Sequence, residues 1–354
     1  MSTEERIKEL EEELHKTVYN KATQRHIGLL KARIAKLKEQ SEKKSGGKTS
    51  GPGFSVKKSG DATVMIVGFP SVGKSTLLNA LTNADSEVNS YEFTTVDVIP
   101  GMMDYKGVKI QLLDVPGIIK GASKGKGMGR QILSVVRNAD LVVIMLDKEG
   151  QLDHVEQELY AVGIRLNKRP PNVKIIKKSD GGVQINPAVK YRKETLGFFR
   201  DLVREYGITN AEVIIRERIT SDELIDVLAN NRMYVPAVVV MNKSDVNSRI
   251  DGVDLLISAK KKEGLKELRD LIFDRLEIAR VFMKKIGEKP DLEEPLVLKG
   301  DKTIEGICKQ LHKDFLNNFR YARVWGESAK FDGQQVGLEH EVLDGDIVEL
   351  HLRR

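Results

Sequence analysis

The run Gly68-Phe69-Pro70-Ser71-Val72-Gly73-Lys74-Ser75 constrains this chain more than any other stretch of it. Before it stands Thr63-Val64-Met65-Ile66-Val67, nearly all apolar, as a parallel strand buried on both faces must be. After it comes a helical stretch, Ser75 to Leu81. A glycine loop between strand and helix is the setting in which this spacing cradles phosphate. The glycines let successive N–H groups curve around an anion, and the helix N-terminus adds its positive end. Lys74 is then placed to bridge β- and γ-phosphates, and the Ser75 hydroxyl to ligate Mg²⁺, with Thr76 next in the same turn.

Three further motifs stand at the ends of predicted strands. Asp114-Val115-Pro116-Gly117 follows the apolar run Ile110 to Leu113, where a carboxylate facing the glycine loop holds Mg²⁺ indirectly. Alone, such a D-x-x-G is as often a turn; its place after the glycine loop raises it. Asn242-Lys243-Ser244-Asp245 closes Ala237 to Met241. The Asp245 carboxylate can accept two hydrogen bonds from guanine N1 and its exocyclic amine, donors that adenine lacks. Asn242 would tie loops together while the Lys243 stem covers the base. Ser258-Ala259-Lys260, after Leu255 to Ile257, completes the pocket with a backbone N–H near Ala259 toward guanine O6. Four motifs in order, each at a strand end, point to one GTP/GDP site at the carboxyl edge of a parallel sheet.

Between the first two motifs, one threonine of Tyr91-Glu92-Phe93-Thr94-Thr95 is placed to reach Mg²⁺ and sense the γ-phosphate. Beyond Asp114, glycines recur at 117, 121, 125, 127 and 129 among Lys120, Lys124, Lys126 and Arg130. A segment of that composition is expected to be ordered by the γ-phosphate or by a partner, although a plain surface loop has the same makeup.

Around this core the chain divides into several parts. Ile7, Leu10, Leu14 and Val18, then Ile27, Leu30, Ile34 and Leu37, repeat at helical spacing and predict a two-helix hairpin broken near Tyr19-Asn20. Ser41 to Gly53 reads as a linker. The 128 positions from Asp114 to Asn242 exceed the roughly 60 residues that two βαβ steps require. The surplus predicts an inserted α+β subdomain over 165–232. In it, Val173 to Ile176 and Val183 to Ile185 flank the hairpin signal Ser179-Asp180-Gly181-Gly182. From about 290, strands surround a helix over Ile304 to Phe315, a β-grasp pattern. The expected domains are 1–58, a helical hairpin with a basic linker; 59–164 and 233–288, the two parts of an α/β nucleotide domain; 165–232, the insertion; and 289–354, the β-grasp tail.

Charge adds a partner class. Residues 16–58 carry twelve Lys/Arg against two acids, a local +10 on a chain whose formal net is +6. The remainder sums to −4, so the excess sits in one segment and suits nucleic acid, or else a solvated lysine-rich helix and linker. No uncharged apolar run approaches the roughly 18 residues of a membrane span. With no apolar signal core and one cysteine, Cys308, the expected compartment is reducing and cytoplasmic. The six histidines lack metal-ligand spacing. Cys308 and Trp325 read as packing residues, and Asp291, Glu293 and Glu294 between prolines as linker.

Gly68 to Thr76, Tyr91 to Thr95 and Asp114-Val115-Pro116-Gly117-Ile118-Ile119-Lys120-Gly121-Ala122 together resemble the Obg-related GTPases. Asn20-Lys21-Ala22-Thr23 with His26 to Ala32 resembles their developmentally regulated GTP-binding (DRG) branch, and the similarity runs the length of the chain. The resemblance implies an N-terminal helical hairpin, a Ras-like P-loop GTPase domain, an insertion similar to a ribosomal-protein fold, and a C-terminal TGS domain. It implies Thr95 as the Mg²⁺ ligand beside Ser75, with Lys74, Thr95 and Gly117 as the catalytic set. It also implies a translation-linked GTPase associating with ribosomes or RNA, and a stabilising or GTPase-stimulating protein partner.

Two departures bear on mechanism. Ile118 stands where a Ras-like enzyme has its water-orienting Gln, so slow intrinsic hydrolysis is expected. Relatives that recruit K⁺ use an Asn in the P-loop where this chain has Ser71, which leaves K⁺ dependence open. The expected function is a GTP-hydrolysing switch in translation. The alternatives are a nucleotide-stabilised RNA-binding scaffold with incidental hydrolysis, and a ribosome-assembly GTPase.

Overall fold

The computed structural model describes residues 3–20, 23–46, 59–82, 99–115, 135–245 and 251–353. The chain forms two compact units, Met1–Gly53 with Gly163–Tyr234, and Phe54–Val162 with Val235–Arg354. Elements are numbered in chain order.

The second unit is built on β1 (Ala62–Gly68), β3 (Val108–Asp114), β4 (Leu141–Leu146), β10 (Ala237–Met241) and β11 (Leu255–Leu256). With β2 (Ile99–Tyr105) they make a six-stranded sheet in the order β11-β10-β4-β1-β3-β2. Every residue of β1, β4 and β10 is buried, because helices cover both faces of the parallel strands. The pairings β1–β3, β1–β4, β4–β10 and β10–β11 are all parallel, so their C-terminal ends share one edge. Helix α3 (Lys74–Leu81) buries Leu77, Leu78 and Leu81, and α7 (Leu265–Arg275) buries Leu265, Leu268, Ile272 and Phe273, all in one core. Between them in sequence, α4 (Gln151–Ala161) buries Val155 and Leu159. Strand β2 is an addition to the sequence reading. Pro100 and Gly101 disguise it, and both are tolerated because it is an antiparallel edge strand, where Met103 alone is buried.

The first unit joins α1 (Thr3–Lys16) and α2 (Gln24–Gly46) to the inserted segment. Asn20 and Thr23 start α2 by reciprocal capping: Asn20 Oδ1 accepts the Thr23 N–H and Thr23 Oγ1 the Asn20 N–H, both at 2.9 Å. Leu10, Leu30 and Ile34 form the expected hairpin seam, with Ile7, Leu14 and Leu37 packed on it. Val18 is not part of that seam: α1 stops at Lys16, and Val18 is 76% exposed. The predicted linker also begins late. Helix α2 runs to Gly46, and 47–58 lies outside the described residues.

A second face of α2, with Leu29, Ala32 and Ala35, packs into the core of the insertion. Gly28 makes this approach possible, since a Cβ there would lie 2.3 Å from the Phe198 ring. The insertion contains β6 (Val173–Lys177), β7 (Val183–Pro187), α5 (Lys193–Glu205), β8 (Ala211–Ile215) and α6 (Ser221–Ala229), while β5 (Ile164–Leu166) pairs with β9 (Met233–Val235) as a ribbon. The hairpin predicted across Ser179 to Gly182 does not form. The order is β6-β8-β7, with β8 antiparallel to β6 and parallel to β7. Asn210, just before β8, takes the Gly182 N–H on Oδ1 and donates Nδ2 to the Ser179 carbonyl. The turn thereby closes on β8, whose Ala211, Val213 and Ile215 are fully buried, as in a central strand.

The C-terminal domain starts earlier than its composition suggests. Strand β12 (Ala279–Met283) already belongs to its sheet, so it begins about ten residues before the expected 289. Strands β13 (Leu296–Leu298), β14 (Phe319–Trp325), β15 (Gln334–Val336) and β16 (Ile347–Leu352) complete the order β13-β12-β16-β14-β15. Helix α8 (Ile304–Leu311) packs Ile304, Ile307 and Cys308 against Ala322, Val324 and Val348, giving the β-grasp arrangement. The single helix predicted to Phe315 breaks at His312, whose backbone is extended, before α9 (Lys313–Asn317). No helix among the described residues is long and apolar enough to cross a membrane.

One buried ion cluster pins the insertion. Arg165 on β5 reaches Asp226 on α6 through Nε and Nη2, both at 2.6 Å, and Arg232 Nε adds a third bond at 2.8 Å. Arg165 and Asp226 are 4% and 6% exposed, so water cannot replace a missing partner. Asp226→Ala is therefore expected to destabilise this unit by about 3–5 kcal/mol, read as a lower denaturant midpoint; an unchanged midpoint would contradict the role given to the cluster.

Candidate functional site

The carboxyl edge of the parallel sheet gathers the P-loop after β1, Asp114 at the end of β3, Asn242 to Asp245 after β10 and Ser258 to Lys260 after β11. The loop from Gly68 through Phe69, Pro70, Ser71 and Val72 to Gly73 turns tightly. Ser71 and Gly73 have φ of 63° and 100°, and Gly73 is the N-cap of α3. Two glycines are there for close approach. A Cβ on Gly68 would lie 2.3 Å from the Met145 carbonyl, and one on Gly73 would lie 2.6 Å from Asn242 Nδ2.

Lys74 is 8% exposed and donates Nζ to the Gly68 and Phe69 carbonyls at 3.2 and 3.1 Å. Burial holds its ammonium below the ordinary lysine value, partly opposed by Asp114. The ammonium is thus turned toward its own loop, bonded to neutral carbonyls, and a phosphate oxygen would give it an ion pair as well. Ser75 Oγ donates to Asp114 Oδ2 at 2.7 Å. Asp114 is 2% exposed, and its Oδ1 is buried without a hydrogen-bond partner. A buried carboxylate with an unsatisfied oxygen beside a hydroxyl fits a hard divalent cation, taken directly by Ser75 and through water by Asp114.

Asn242 binds the site together. Its Nδ2 donates to the Val72 carbonyl at 2.7 Å, its Oδ1 accepts the Ala259 N–H at 2.9 Å, and its backbone N–H goes to Leu146 at 2.8 Å. One side chain, 4% exposed, links P-loop, base loop and central strand. The Ala259 N–H is thereby committed to Asn242. Ser258 exchanges two backbone hydrogen bonds with Glu263 at 3.1 Å, and the Ser244 N–H reaches the Ile257 carbonyl at 3.0 Å. Asp245 remains one-third exposed, with Lys261 3.9 Å away.

Lys243 adopts φ 60°, and its stem lies across the site toward the P-loop. Nζ is 3.4 Å from the Ser71 carbonyl and 2.5 Å from Asp147 Oδ2. Sequence reasoning missed Asp147, which stands directly after β4. Gln151 fixes it, donating Nε2 to Oδ1 and accepting the Asp147 N–H, both at 2.9 Å. Burial pushes the Asp147 carboxyl up, but the hydrogen bonds from Lys243 and Gln151 outweigh it and the net shift is downward. The signal was available: a carboxylate at the end of a buried central strand is the same clue that marks Asp114.

Thr95, Pro116, Gly117 and Ile118 lie outside the described residues, as do the Tyr91 to Thr94 run and the glycine-rich segment to Arg130. Of the proposed catalytic set, Lys74 alone is described. Val115 is buried, its N–H 3.4 Å from the Ile66 carbonyl. Thr76 lies exposed in the first turn of α3, and Lys260 is exposed beside Ala259. Among the described residues no cluster of His, Cys, Asp and Glu has metal-binding geometry of its own.

Because Asn242 serves both loops, Asn242→Ala strands a carbonyl and an N–H at once. Its affinity for GDP is expected to fall about ten- to a hundredfold, the effect of one to two buried unsatisfied groups, by titration calorimetry. Affinity within twofold of wild type would show that the loops hold without it.

Comparison with known proteins gives this geometry a lineage. Residues 63–178 match the family model described as 50S ribosome-binding GTPase, 180–278 the C-terminal region of MMR_HSR1 domain, and 279–352 the TGS domain. The chain is 50% identical over 369 residues to an uncharacterized GTP-binding protein of Methanocaldococcus jannaschii, covering 100% of this chain and 94% of the relative. It is 44% identical over 361 residues to Developmentally-regulated G-protein 3 of Arabidopsis thaliana, covering 98% of each. It is 45% identical over 368 residues to the Developmentally-regulated GTP-binding protein 1 homolog of Dictyostelium discoideum, covering 99% of each. The chain belongs to the developmentally-regulated GTP-binding protein family, P-loop GTPases with a C-terminal TGS domain.

Proposed function

We propose that this protein is a GTP-hydrolysing switch that acts in translation through nucleotide-dependent association with ribosomes or structured RNA in the cytoplasm. The observation that carries the reading is the convergence of Lys74, the Ser75–Asp114 pair and the Asn242-bridged base loops on one sheet edge. In this reading the P-loop N–H groups and Lys74 hold the β- and γ-phosphates. Ser75 and Thr95 hold Mg²⁺, with Asp114 behind its water, and the bound ion neutralises charge on the phosphates. Asp245 selects guanine, and Lys243, braced by Asp147, covers the base.

Hydrolysis is the less complete half. Ile118 offers no hydrogen bond to an attacking water, so the rate depends on another group, on K⁺ or on a protein partner. The ribosomal assignment draws support from the +10 carried by residues 16–58 and from the description of the family model that matches 63–178. In this scheme the N-terminal segment, the insertion and the TGS domain are partner surfaces, and the nucleotide domain switches them.

Lys74→Ala is expected to abolish GTP binding, and Asp245→Asn to weaken preference for guanine over xanthine nucleotides, both by equilibrium titration. Equal affinity of the wild-type chain for ATP would rule out the guanine reading. Co-sedimentation with ribosomal subunits should depend on nucleotide and fall steeply with salt, and changing Lys43, Lys44, Lys48, Lys57 and Lys58 to Gln, which keeps Leu29, Ala32 and Ala35 in the insertion core, should flatten that slope. Single-turnover hydrolysis that stays negligible with and without ribosomes would favour the scaffold over the switch.

A further inference from the structure

Strands β2 and β3 form an antiparallel hairpin in register from Ile99 opposite Asp114 to Tyr105 opposite Val108. Its two ends face different tasks. At the open end, β2 begins directly after the stretch holding Thr95, and β3 ends on Asp114, just before Gly117 and Ile118. At the closed end, Lys106 and Gly107 make the turn, with φ of 52° and 79°. Six residue steps of about 3.3 Å separate the ends, roughly 20 Å of stiff ribbon.

The closed end is held from several directions. Arg280 on β12 donates Nη1 to the Lys106 carbonyl at 2.9 Å, while its Nε and Nη2 engage Asp344 at 2.9 and 2.7 Å. Asp344 also accepts the Arg280 backbone N–H at 2.8 Å. From α7, Asp270 accepts Tyr105 Oη and Lys106 Nζ, both at 2.8 Å. The Lys106 ammonium and the Arg280 guanidinium both lie over the Phe273 ring, at 4.8 and 5.2 Å. Pro295 rests against Gly107, where a Cβ would come within 3.2 Å of its ring.

Ordinary domain packing would bury apolar surface and leave the turn's backbone to solvent. Here a guanidinium of the C-terminal domain, immobilised by its own carboxylate, is spent on the backbone carbonyl of the turn. A side-chain contact would tolerate a slide of the hairpin. A bond to the main chain fixes its register, because a shift of two residues moves that carbonyl by about 6–7 Å.

We propose that Arg280 is a positioning residue of the nucleotide site. It acts through the β2–β3 hairpin, so that the occupancy of the site and the docking of the C-terminal domain are coupled. The proposal rests on the reading of the site given above. Coupling is reciprocal at equilibrium: whatever the C-terminal domain engages alters nucleotide affinity, and nucleotide alters the affinity of the C-terminal domain for its partner by the same factor.

The chain supplies its own reporter. Trp325 is the sole tryptophan and lies in the C-terminal sheet, in one row with Ile347 and Phe282. Phe282 is two residues along β12 from Arg280, and the Lys284 ammonium sits 4.9 Å from the Trp325 ring. With the full chain, exchange of GDP for a non-hydrolysable GTP analogue is expected to change Trp325 fluorescence. Arg280→Ala should abolish that change and speed release of a fluorescent GDP about five- to tenfold, the lower range of allosteric coupling. Asp344→Asn, which keeps the guanidinium but loosens its anchor, should shift both readouts in the same direction by less, and it carries the test if Arg280→Ala does not fold. Arg280→Lys, retaining a donor toward the turn, should recover part of the signal. A silent Trp325 in wild type, with unchanged GDP release in Arg280→Ala, would overturn the coupling while leaving the nucleotide site intact. Failure of the wild-type chain to bind guanine nucleotides would instead remove the reading of the site, and the coupling with it.

Discussion

The nucleotide end of this molecule depends on the Asn242 side chain. A carboxamide has one acceptor and one donor group, and here each is given to a different loop: Val72 of the P-loop on one side, Ala259 of the base loop on the other. Its backbone is tied to Leu146 in the central strand, so the side chain cannot drift. Gly73 has no side chain because Asn242 occupies the space. Asn242 thus ties the P-loop to the loop of Ala259, and a tie of that kind lowers the cost of ordering two loops around a ligand.

Binding and catalysis are encoded differently in such a site. The binding groups hang on strand ends buried on both faces, and each fully buried aliphatic side chain there contributes about 1.5–3 kcal/mol. Lys74 holds an ammonium away from water, and Asp114 holds a buried carboxylate oxygen without a hydrogen-bond partner. Both conditions are relieved by an anion and a cation arriving together, which makes the site suited to a metal-bound phosphate.

What could be read from sequence follows a physical divide. Strands β1, β4 and β10 were legible because burial on both faces forces continuous apolar runs. Strand β2 was not, since an edge strand can carry Pro100 and Gly101. The Ser179 to Gly182 turn was misread because its partner is settled by Asn210, some thirty positions later. Strand β12 was overlooked because it follows α7 with only Leu276 to Ile278 between, and no linker marks the boundary. In the site, contiguous motifs were plain. Asp147 escaped because its meaning lies in Lys243, which is 96 positions away.

The two faces of α2 have a consequence for how the chain is made. One face is covered at once by Leu10 and its neighbours on α1. The other, with Leu29, Ala32 and Ala35, is covered by Phe199, Leu202 and Leu224 of the insertion. Roughly 170 residues separate Ala32 from Leu202, about 10–35 s of synthesis at ordinary elongation rates. Throughout that interval the helix emerges with half its apolar surface bare, while the P-loop and its first strands are being laid down between. The second face of α2 thus waits for a segment made after the P-loop, and its closure records that the nucleotide-binding strands β1, β3 and β4 have already been synthesised.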